Sequence, residues 1–382
     1  MKRKVSVTTG SRADYGILRP VLKAISESKK LELYLIVTGM HLSGKYGKTI
    51  NEIKKDGFRI FATMDMLPKG DSTYFMSKAL GEGITAFSKI FRKHNPDINL
   101  VLGDRDEMLA SALAAYHMNI PNAHIHGGDK SQGGIDEYNR HAITKISNIH
   151  FAATNNSRKR IIMMGEDPKY VFLTGSPSID EIANNKITSK KELEKKYNLK
   201  FSGNEILLVQ HPVTTETDLS GKQIANTLEA ITRLKKTTIS VAPNSDAGNK
   251  KIFEYLRFFS RKYDFIRMYK TLSRSDFLGM LNNCGVLVGN SSSGIIEASY
   301  FNIPVVNIGI RQKGREKGPN VIDVVGSTNS IYRAILKTLK MGKRRKFVKE
   351  HLYGNGKAAV KIVHHLEKIE LKKELIKKQI FY

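Results

Sequence analysis

INLVLGDRDE (residues 98–107) and IPNAHIHGGD (residues 120–129) decide the fold, because each joins a hydrophobic run to a group of acidic, basic or histidine side chains. The pattern predicts two strands whose polar residues emerge at the strand ends. Ligands bind at the carboxyl ends of strands in open α/β sheets. Burying charge is costly unless the charge is paired or used in chemistry, so this cluster, together with IDEYNRH (residues 135–141), is interpreted as an active site.

Strand-like and helix-like segments alternate along most of the chain, an order that predicts parallel sheets. A polar, lysine-rich stretch at residues 184–204 interrupts this order, and the alternation then restarts. We therefore predict an α/β fold of two Rossmann-like domains with a central cleft between their strand ends. The expected division is residues 1–182 for an N-terminal domain that carries most catalytic acids, residues 183–350 for a C-terminal nucleotide-binding domain, and residues 351–382 for a helical segment that could pack back on the first domain.

The strands are expected at 4–9, 31–39, 98–102, 120–125 and 149–154 in the first half, and at 205–212, 237–244, 265–270, 285–293 and 303–309 in the second. A helix is predicted at residues 15–28, and the segment from about residue 330 onward has strongly helical character.

The bulk composition sets limits on where the protein works. A chain of 382 residues with 40% hydrophobic and 26% charged residues is typical of globular proteins with two domains. It has no apolar run of the roughly 20 residues that a membrane helix needs, and its first residues lack the pattern of a signal peptide. We expect a cytoplasmic protein without a membrane partner. The single cysteine, Cys284, excludes an internal disulfide and lies in an apolar setting typical of an inert core residue.

A formal net charge of +27 raises the question of nucleic-acid binding. The lysines are spread along the chain, with one dense run near the C-terminus, and no nucleic-acid motif accompanies them. A solvated lysine-rich surface is the favoured interpretation, and we expect no nucleic-acid partner. A positive field would also attract a pyrophosphate substrate.

The segment from Gly10 to Asp14 joins the first strand to the first helix. Backbone amides at a helix start favour an anion, and the side chains of Arg12 and Asp14 can grip a base or a phosphate. A simple capped helix start explains the same residues equally well.

A second anion site is predicted where NSSSGIIEA (residues 290–298) joins a strand to a helix. Serine hydroxyls and free amides at a helix start form a phosphate cradle, and the acid that follows can hold a ribose diol. A serine cap followed by an acid is the structural alternative, but three serines and a glycine exceed what a cap needs. The next loop adds two arginines and a glutamine suited to a diphosphate. The predicted binding residues here are Ser291, Ser292, Ser293, Gly294, Glu297, Arg311, Gln312 and Arg315.

The ordered motifs SRADYG, GDRDE, HIHGGD, DEYNRHAITK, HFAAT, GSPSID, QHP, GNSSSGIIEA and IGIRQKGR span almost the whole chain. Together they resemble the hydrolysing UDP-N-acetylglucosamine 2-epimerases and their relatives in sialic-acid and legionaminic-acid biosynthesis. The resemblance implies the glycosyltransferase type B fold, with the nucleotide held mainly by the C-terminal domain, and no cofactor. Many members have HGGE where this chain has HGGD, so Asp129 is a shorter acid at a position implicated in catalysis. We expect a homodimer or a homotetramer.

The reaction implied by the resemblance removes the C2 proton of UDP-N-acetylglucosamine, expels UDP to leave a glycal, and adds water to give N-acetylmannosamine. A weak carbon acid needs a positioned base, and the departing diphosphate needs stabilisation. The motif match assigns Asp104 and Asp129 as the acid/base pair, either Asp136 or Glu137 as a third carboxylate, and Arg140 and His141 as the groups that orient it. The predicted catalytic residues are Asp104, Asp129, Asp136, Glu137 and His211, and the further substrate-binding residues are Arg12, Asp14, His126 and Arg140.

Each of these residues also has a structural interpretation. Asp104 could cap a helix, His124 and His126 could make core hydrogen bonds, and Arg140 could form a helical ion pair. A zinc site at the two histidines lacks a third ligand of clear spacing, so no metal is expected. Three other functions remain as alternatives: the same chemistry on a UDP- or GDP-linked 2,4-diacetamido-trideoxyhexose, a glycosyltransferase of the same fold, and a non-enzymatic nucleotide-sugar or nucleic-acid binder.

Overall fold

The structure is a computed structural model that describes residues 2–70, 72–131, 134–184, 187–341 and 351–381. The chain forms two compact units. The first unit comprises Met1–Asp129, Asp136–Asn184 and Tyr353–Tyr382, and the second comprises Lys130–Ile135 and Asn185–Leu352. The predicted domain boundaries followed residues 182 and 350, whereas the main divisions fall after Asn184 and Leu352.

Each unit is built on one parallel sheet. The first sheet contains β1 (Arg3–Thr9), β2 (Leu31–Thr38), β3 (Ile60–Met64), β4 (Ile98–Leu102), β5 (Asn122–Ile125), β6 (Ile149–Ala152) and β7 (Val171–Leu173). The second contains β8 (Ile206–Val209), β9 (Thr238–Val241), β10 (Ile266–Tyr269), β11 (Val286–Gly289), β12 (Val305–Ile308) and β13 (Val321–Val324). The strand orders are β3-β2-β1-β4-β5-β6-β7 and β10-β9-β8-β11-β12-β13.

Helices connect the strands and flank the sheets. Those of the first unit are α1 (Arg12–Glu27), α2 (Ile50–Lys55), α3 (Thr73–His94), α4 (Asp106–His117), α5 (Ile135–Lys145), α6 (Asn155–Met163), α7 (Pro177–Asn184), α14 (Ala358–Lys368) and α15 (Lys373–Ile376). Those of the second are α8 (Lys190–Tyr197), α9 (Ser220–Leu234), α10 (Asn249–Lys262), α11 (Arg274–Asn283), α12 (Glu297–Tyr300) and α13 (Thr328–Met341). None of the helices in the described part of the chain has the length and apolar character needed to cross a membrane.

The central strands form where the sequence is mainly apolar. Every residue of β4, β8 and β11 is buried, as expected for parallel strands covered on both faces. Helix α1 buries one apolar stripe, and the side chain of Ser11 accepts a hydrogen bond from the backbone of Asp14 in a reciprocal capping box. These features confirm the prediction of an α/β fold with two parallel sheets.

Three strands were missed by the sequence analysis: β3, β7 and β13. Each pairs with a single neighbour and so lies at the edge of its sheet. Most of their residues are only half-buried or exposed, so none of these strands needs the long apolar run that reveals a central strand.

In the first sheet, β2 and β3 lie on one side of β1, and β4 and the later strands lie on the other side. In the second sheet, β9 and β10 lie on one side of β8, and β11 and the later strands lie on the other. The strand order therefore reverses between β1 and β4 and between β8 and β11. Such a reversal opens a crevice at the carboxyl ends of the two strands, where ligands of α/β proteins bind. In the first unit these ends lead into residues 10–14 and 103–107. In the second they lead into residues 210–212 and 290–298. The sequence motifs that follow these four strands therefore lie where the strand order reverses.

The C-terminal segment packs into the first unit. Ala359, Ile362 and Leu366 of α14 join the buried apolar cluster that contains the residues of β1 and α1. The carboxylate of Asp180 accepts hydrogen bonds from the backbone amides of Ala358 and Ala359, at 2.9 and 2.6 Å, and so holds the start of α14.

A buried ion-pair cluster anchors the residues that follow α15. Glu166 is 1% exposed and accepts hydrogen bonds from Lys145 Nζ at 2.7 Å, His150 Nε2 at 3.0 Å and Lys378 Nζ at 2.5 Å. Burial alone would raise the pKa of Glu166, but the hydrogen bonds and charges of His150, Lys145 and Lys378 lower it to about 2. The cluster therefore ties Lys378 to the first unit through an ionised carboxylate.

We expect Glu166→Gln to destabilise the first unit at neutral pH. The size of the pKa shift corresponds to a loss of about 2–3 kcal/mol in the free energy of unfolding. The folded pKa lies below the unfolded one, so this stabilisation is complete above pH 4.5 or so and is lost as the pH falls towards 2. Thermal unfolding of wild type and variant between pH 7 and 3 measures the difference. The exposed Glu32→Gln serves as the matched control, and a wild-type advantage that does not shrink in acid would contradict the assignment.

Candidate functional site

The first group of polar residues surrounds the end of β4. Gly103 has a φ of 73°, a conformation that favours glycine. The turn at Gly103 places Asp104 shortly before the start of α4. The residue that flanks α4 at its N-terminus is Arg105, so Asp104 does not act as the helix cap that the structural alternative supposed. Instead, the carboxylate of Asp104 accepts a hydrogen bond from Arg140 Nη2.

Arg140, on α5, is the centre of this cluster. Its side chain is only 1% exposed, and Nη1 donates to Glu137 Oε2 at 2.7 Å and to the backbone carbonyl of Asp129 at 3.2 Å. Burial alone would lower the pKa of Arg140, but the carboxylates of Asp104, Asp129 and Glu137 outweigh it and raise the pKa. One permanently charged guanidinium thus holds Asp104 and Glu137 together.

The two neighbouring acids on α5 both lie close enough along the helix to face Arg140. Glu137 contacts Arg140 through one oxygen and His141 through the other, at 3.0 Å from His141 Nε2. Both contacts follow from helix geometry, in which residues three and four positions apart share a face. Asp136 is half-buried and lies four positions before Arg140, so the choice between Asp136 and Glu137 stays a prediction.

Asp129 and His126 form a second buried pair next to the first group. Asp129 Oδ2 lies 3.0 Å from His126 Nδ1, and Asp129 Oδ1 accepts a hydrogen bond from Ser157 Oγ at 2.7 Å. His126 Nε2 lies 2.8 Å from Ser176 Oγ, and His126 has a φ of 65°, which is uncommon for a residue other than glycine. The structure therefore brings Asp104, Asp129, Glu137 and Arg140 into one connected network.

The turn after β1 is held mainly by contacts within the fold. Asp14 accepts hydrogen bonds from Thr9 and from the amides of Gly10 and Ser11, at 3.2 and 3.0 Å. Burial raises the pKa of Asp14 to about 6, against the lowering effect of the Thr9 hydrogen bond. Arg12 Nε donates to Glu52 Oε2 at 2.8 Å. The capped helix start is therefore present, and a nucleotide-binding role for Arg12 and Asp14 stays a prediction.

In the second unit, Asn290 links the ends of β8 and β11. Its side chain accepts from the backbone amide of His211 at 2.7 Å and donates to the His211 carbonyl at 2.9 Å. His211 Nδ1 accepts a hydrogen bond from the backbone amide of Asn244 at 3.1 Å. Since Nδ1 is the acceptor, a neutral His211 carries its proton on Nε2. Sequence analysis did not single out Asn290, although it begins the serine motif.

The serine-rich loop has a different shape from the one expected. A single 3-10 turn, Ser292–Gly294, follows Ser291, and the α-helix begins only at Glu297 and ends at Tyr300. The expected helix directly after the serines is therefore wrong. The side chain of Ser291 accepts from the amide of Ser293 at 3.3 Å, which favours the tighter turn, and the chain leaves the short helix through Asn302 at a φ of 56°.

Buried polar atoms without a hydrogen-bond partner among the described residues accumulate beyond the strand ends of the second unit. Native proteins rarely bury such atoms without a reason, and a bound polar ligand is one of the few that apply. The atoms concerned are Gln210 Oε1, Asn244 Oδ1, Arg274 Nε, Glu297 Oε2, Gln312 Oε1 and Arg315 Nε. Three of these side chains, Glu297, Gln312 and Arg315, belong to the set predicted to bind the nucleotide.

The loop after β12 is fastened to the same strand end. Arg311 Nη1 and Gln312 Nε2 both donate to the backbone carbonyl of Asn290, at 3.3 and 3.0 Å. These bonds place the predicted diphosphate residues of this loop next to the serine turn.

Glu297 has a partner that the sequence did not reveal. Arg274, the first residue of α11, forms a hydrogen-bonded ion pair with Glu297 Oε1, and the two side chains are 13% and 3% exposed. The other oxygen, Oε2, has no partner among the described residues. No sequence signal marks Arg274, because it precedes Glu297 by 23 positions and belongs to a different helix.

The described residues contain no group of three or more His, Cys, Asp or Glu side chains arranged to hold a metal ion. The ring nitrogens of His124 are already engaged, with Nε2 at 2.7 Å from the Gly103 carbonyl and Nδ1 at 3.2 Å from Thr144 Oγ1. His124 is therefore not arranged as a zinc ligand.

Comparison with known proteins gives a consistent result. A family model described as UDP-N-acetylglucosamine 2-epimerase matches residues 23–367. A UDP-N,N′-diacetylbacillosamine 2-epimerase (hydrolysing) of Legionella pneumophila is 40% identical over 99% of each chain. A GDP/UDP-N,N′-diacetylbacillosamine 2-epimerase of Campylobacter jejuni is 35% identical over 84% of each chain. A UDP-N-acetylglucosamine 2-epimerase of Neisseria meningitidis is 34% identical and covers 90% of this chain and 89% of its own.

Solved structures support the fold. A UDP-GlcNAc 2-epimerase from Neisseria meningitidis bound to UDP-GlcNAc matches with a TM-score of 0.81 at 19% identity, covering 96% of this chain and 100% of that one. A Methanocaldococcus jannaschii UDP-GlcNAc 2-epimerase in complex with UDP-GlcNAc and UDP gives a TM-score of 0.78 at 21% identity, with 95% and 99% coverage. These likenesses confirm the predicted fold, two parallel-sheet α/β domains of the glycosyltransferase type B.

Proposed function

Because this chain belongs to the UDP-N-acetylglucosamine 2-epimerase family, we propose that it is a hydrolysing 2-epimerase that releases UDP from a UDP-linked 2-acetamido sugar. The observation that carries the proposal is the network of acids around the buried Arg140, at the strand-order reversal of the first sheet. The carboxylates of Asp104 and Glu137 and the backbone carbonyl of Asp129 accept hydrogen bonds from its guanidinium. A binding protein has no need of such a network, and a glycosyltransferase does not require several acids around one sugar.

The proposed reaction has two halves. In the elimination, a base removes the C2 proton, the C1=C2 double bond forms, and the bond from C1 to the diphosphate oxygen breaks with its electron pair leaving on UDP. In the hydration, a proton adds to C2 from the opposite face while water, losing a proton to a base, adds its oxygen to C1. The net change is one nucleotide sugar and one water giving the 2-epimeric free sugar and UDP.

The first unit supplies the proton-transfer groups in this proposal. Asp104 and Asp129 form the acid/base pair at C2, with Asp129 supported by its hydrogen-bonded His126. Glu137 is the third carboxylate in this proposal, because Arg140 and His141 orient its two oxygens. Groups of like charge at one site favour holding one of them protonated, which provides an acid and a base together.

The second unit supplies the nucleotide site. The residues with unsatisfied buried atoms lie in the segments that follow the strands of the second sheet, and a diphosphate and a ribose offer the donors and acceptors that they lack. The other residues of the proposed site are Ser291, Ser292, Ser293, Gly294 and Arg311. His211, with its proton on Nε2, is a donor for the departing phosphate oxygen. Arg12 and Asp14 remain candidates for contacts with the substrate.

Among the relatives, the two named for N,N′-diacetylbacillosamine are 40% and 35% identical, and the Neisseria enzyme named for N-acetylglucosamine is 34% identical. We therefore place UDP-N,N′-diacetylbacillosamine, a 2,4-diacetamido-trideoxyhexose, as the first candidate substrate. UDP-N-acetylglucosamine, which would give N-acetylmannosamine, is the second.

The test is incubation of the protein with each UDP-sugar, and with the GDP analogue of the first, in deuterated water. The proposal expects release of free nucleoside diphosphate and a 2-epimeric sugar that carries deuterium at C2, fastest for the diacetamido substrate. A transferase or a binding protein would give no such label. Unlabelled product would refute the elimination step, and faster turnover of UDP-N-acetylglucosamine would reverse the order of the two candidates.

Glu297→Gln is expected to weaken UDP binding by about 10- to 100-fold, because hydrogen bonds to a charged carboxylate contribute roughly 1.5–3 kcal/mol each. Calorimetry with UDP and with 2′,3′-dideoxyuridine diphosphate separates the diol contact from general damage. The wild type is expected to bind UDP more tightly than the dideoxy analogue, and this preference should disappear in Glu297→Gln. The control variant Glu254→Gln, at an exposed position, should keep the preference. Equal loss of affinity for both ligands would count against a ribose contact.

A further inference from the structure

His124 is a buried histidine for which the proposed mechanism has no role. It lies in β5 with no exposed surface, at the position in the HIHGG motif two residues before His126. Its Nε2 is 2.7 Å from the carbonyl of Gly103, and its Nδ1 is 3.2 Å from Thr144 Oγ1. Each ring nitrogen therefore meets one oxygen atom from a different segment of the chain.

The two contacts determine where the ring proton resides. A carbonyl oxygen can only accept, so Nε2 carries the hydrogen that is donated to Gly103. Burial lowers the pKa of His124 to about 3, so the ring is neutral and Nδ1 has no hydrogen. Nδ1 then accepts from the hydroxyl of Thr144, whose single proton is shared with the Arg140 carbonyl 2.9 Å away.

These contacts reach both partners of the central ion pair of the proposed active site. Gly103 directly precedes Asp104; its amide donates to the Ile125 carbonyl at 2.9 Å, and its carbonyl accepts from His124. Thr144 lies one helical turn after Arg140 on α5 and bonds to its carbonyl. His124 thus ties together the chain segments that carry Asp104 and Arg140.

A second observation comes from Gly127. A Cβ atom at that position would lie 2.8 Å from His124 Nδ1 and 3.1 Å from Thr144 Oγ1. The backbone of the HIHGG turn therefore passes directly over the hydrogen bond between His124 and Thr144, and glycine is the residue that leaves room for it.

We propose that His124 is a positioning residue, which rests on the proposed function above: as a neutral ring with its proton on Nε2, it fixes the Gly103 turn so that Asp104 is oriented for proton transfer at C2 of the sugar. It does not touch the substrate. Its effect is on the orientation of the base, so its loss slows proton removal without weakening the nucleotide site of the second unit.

The test compares His124→Phe, which keeps the ring volume and loses both hydrogen bonds, with His124→Gln, whose amide retains a donor towards Gly103. Phe is expected to lower kcat by about 10- to 100-fold with the KM and the Kd for UDP within about threefold, and to raise the isotope effect for a substrate deuterated at C2. Gln should restore most of kcat. Thr144→Val should give a smaller loss, and Thr144→Ser none.

The outcomes separate this inference from the proposed function. No UDP release by the wild type from any nucleotide sugar would refute the proposed function and, with it, the role of His124. Turnover by the wild type together with an unchanged kcat and isotope effect in His124→Phe would refute the role of His124 alone. Nitrogen-15 NMR of the histidine rings gives a readout apart from activity: a proton on Nδ1 or a charged His124 ring at pH 7 would overturn the inference.

Discussion

Replacing Asp104 with Asn is expected to reduce UDP release by about a thousandfold or more, while the Kd for UDP stays within a few fold. General acid–base groups contribute about 10²–10⁴-fold to rates, and an amide cannot take the C2 proton. The variant keeps the shape of the side chain, and its amide oxygen can still accept the hydrogen bond from Arg140 that the structure shows. The expected loss of rate therefore reflects the chemical step and not a change in the structure of the site.

The measurement combines single-turnover kinetics, calorimetry with UDP and thermal unfolding. Asp218→Asn, an exposed position in the second unit, is the matched control and should leave the rate unchanged. Wild-type turnover in Asp104→Asn would contradict the assignment of Asp104 as a proton-transfer residue. A parallel loss of rate, UDP affinity and unfolding temperature would instead indicate a structural role.

Arg140→Met is the substitution with the largest expected effect on stability. Removing one member of a buried ion pair leaves the other uncompensated, which costs about 3–5 kcal/mol, and here Asp104 and Glu137 would be left facing each other without the cation between them. For a unit of this size, we expect the thermal unfolding midpoint to fall by roughly 10 °C. Catalytic activity should be lost with it, because both carboxylates lose their orientation.

Two comparisons make the result specific. Adding Glu137→Gln to Arg140→Met should recover part of the lost stability, because it removes one of the two opposed charges. Arg257→Met, at an exposed position, should change the midpoint little. A midpoint for Arg140→Met equal to that of the wild type would show that this buried pair contributes no net stability.

The local pattern of the sequence was sufficient to predict where the candidate site residues lie. Asp104 and the serine turn follow β4 and β11, which are mainly apolar runs bounded by glycine and polar residues. Because the strands of a parallel sheet end at the same edge, each motif could be assigned to the ligand-binding edge of its own sheet. Helix periodicity did not choose between Asp136 and Glu137, since Arg140 lies four positions after the first and three after the second.

The partners of the predicted residues were not available in this way. Arg274 lies 23 positions before Glu297, and Ser157 lies 28 positions after Asp129. Nothing in the local sequence marks either residue as a partner, because the contact arises only when separate helices pack on the same sheet. The edge strands β3, β7 and β13 were missed for a related reason, since pairing with one neighbour, and not their own composition, makes them strands.

The sequence by itself thus determined the α/β class, the two parallel sheets and the chemical types gathered at their strand ends, because hydrophobic periodicity and glycine turns act over a few residues. Only the tertiary structure decided that Asp104 meets Arg140, which oxygen of Glu297 is left without a partner among the described residues, and that α14 completes the core of the first unit. Those outcomes depend on distances between segments far apart in the chain, and hydrogen bonds and ion pairs form only at those distances.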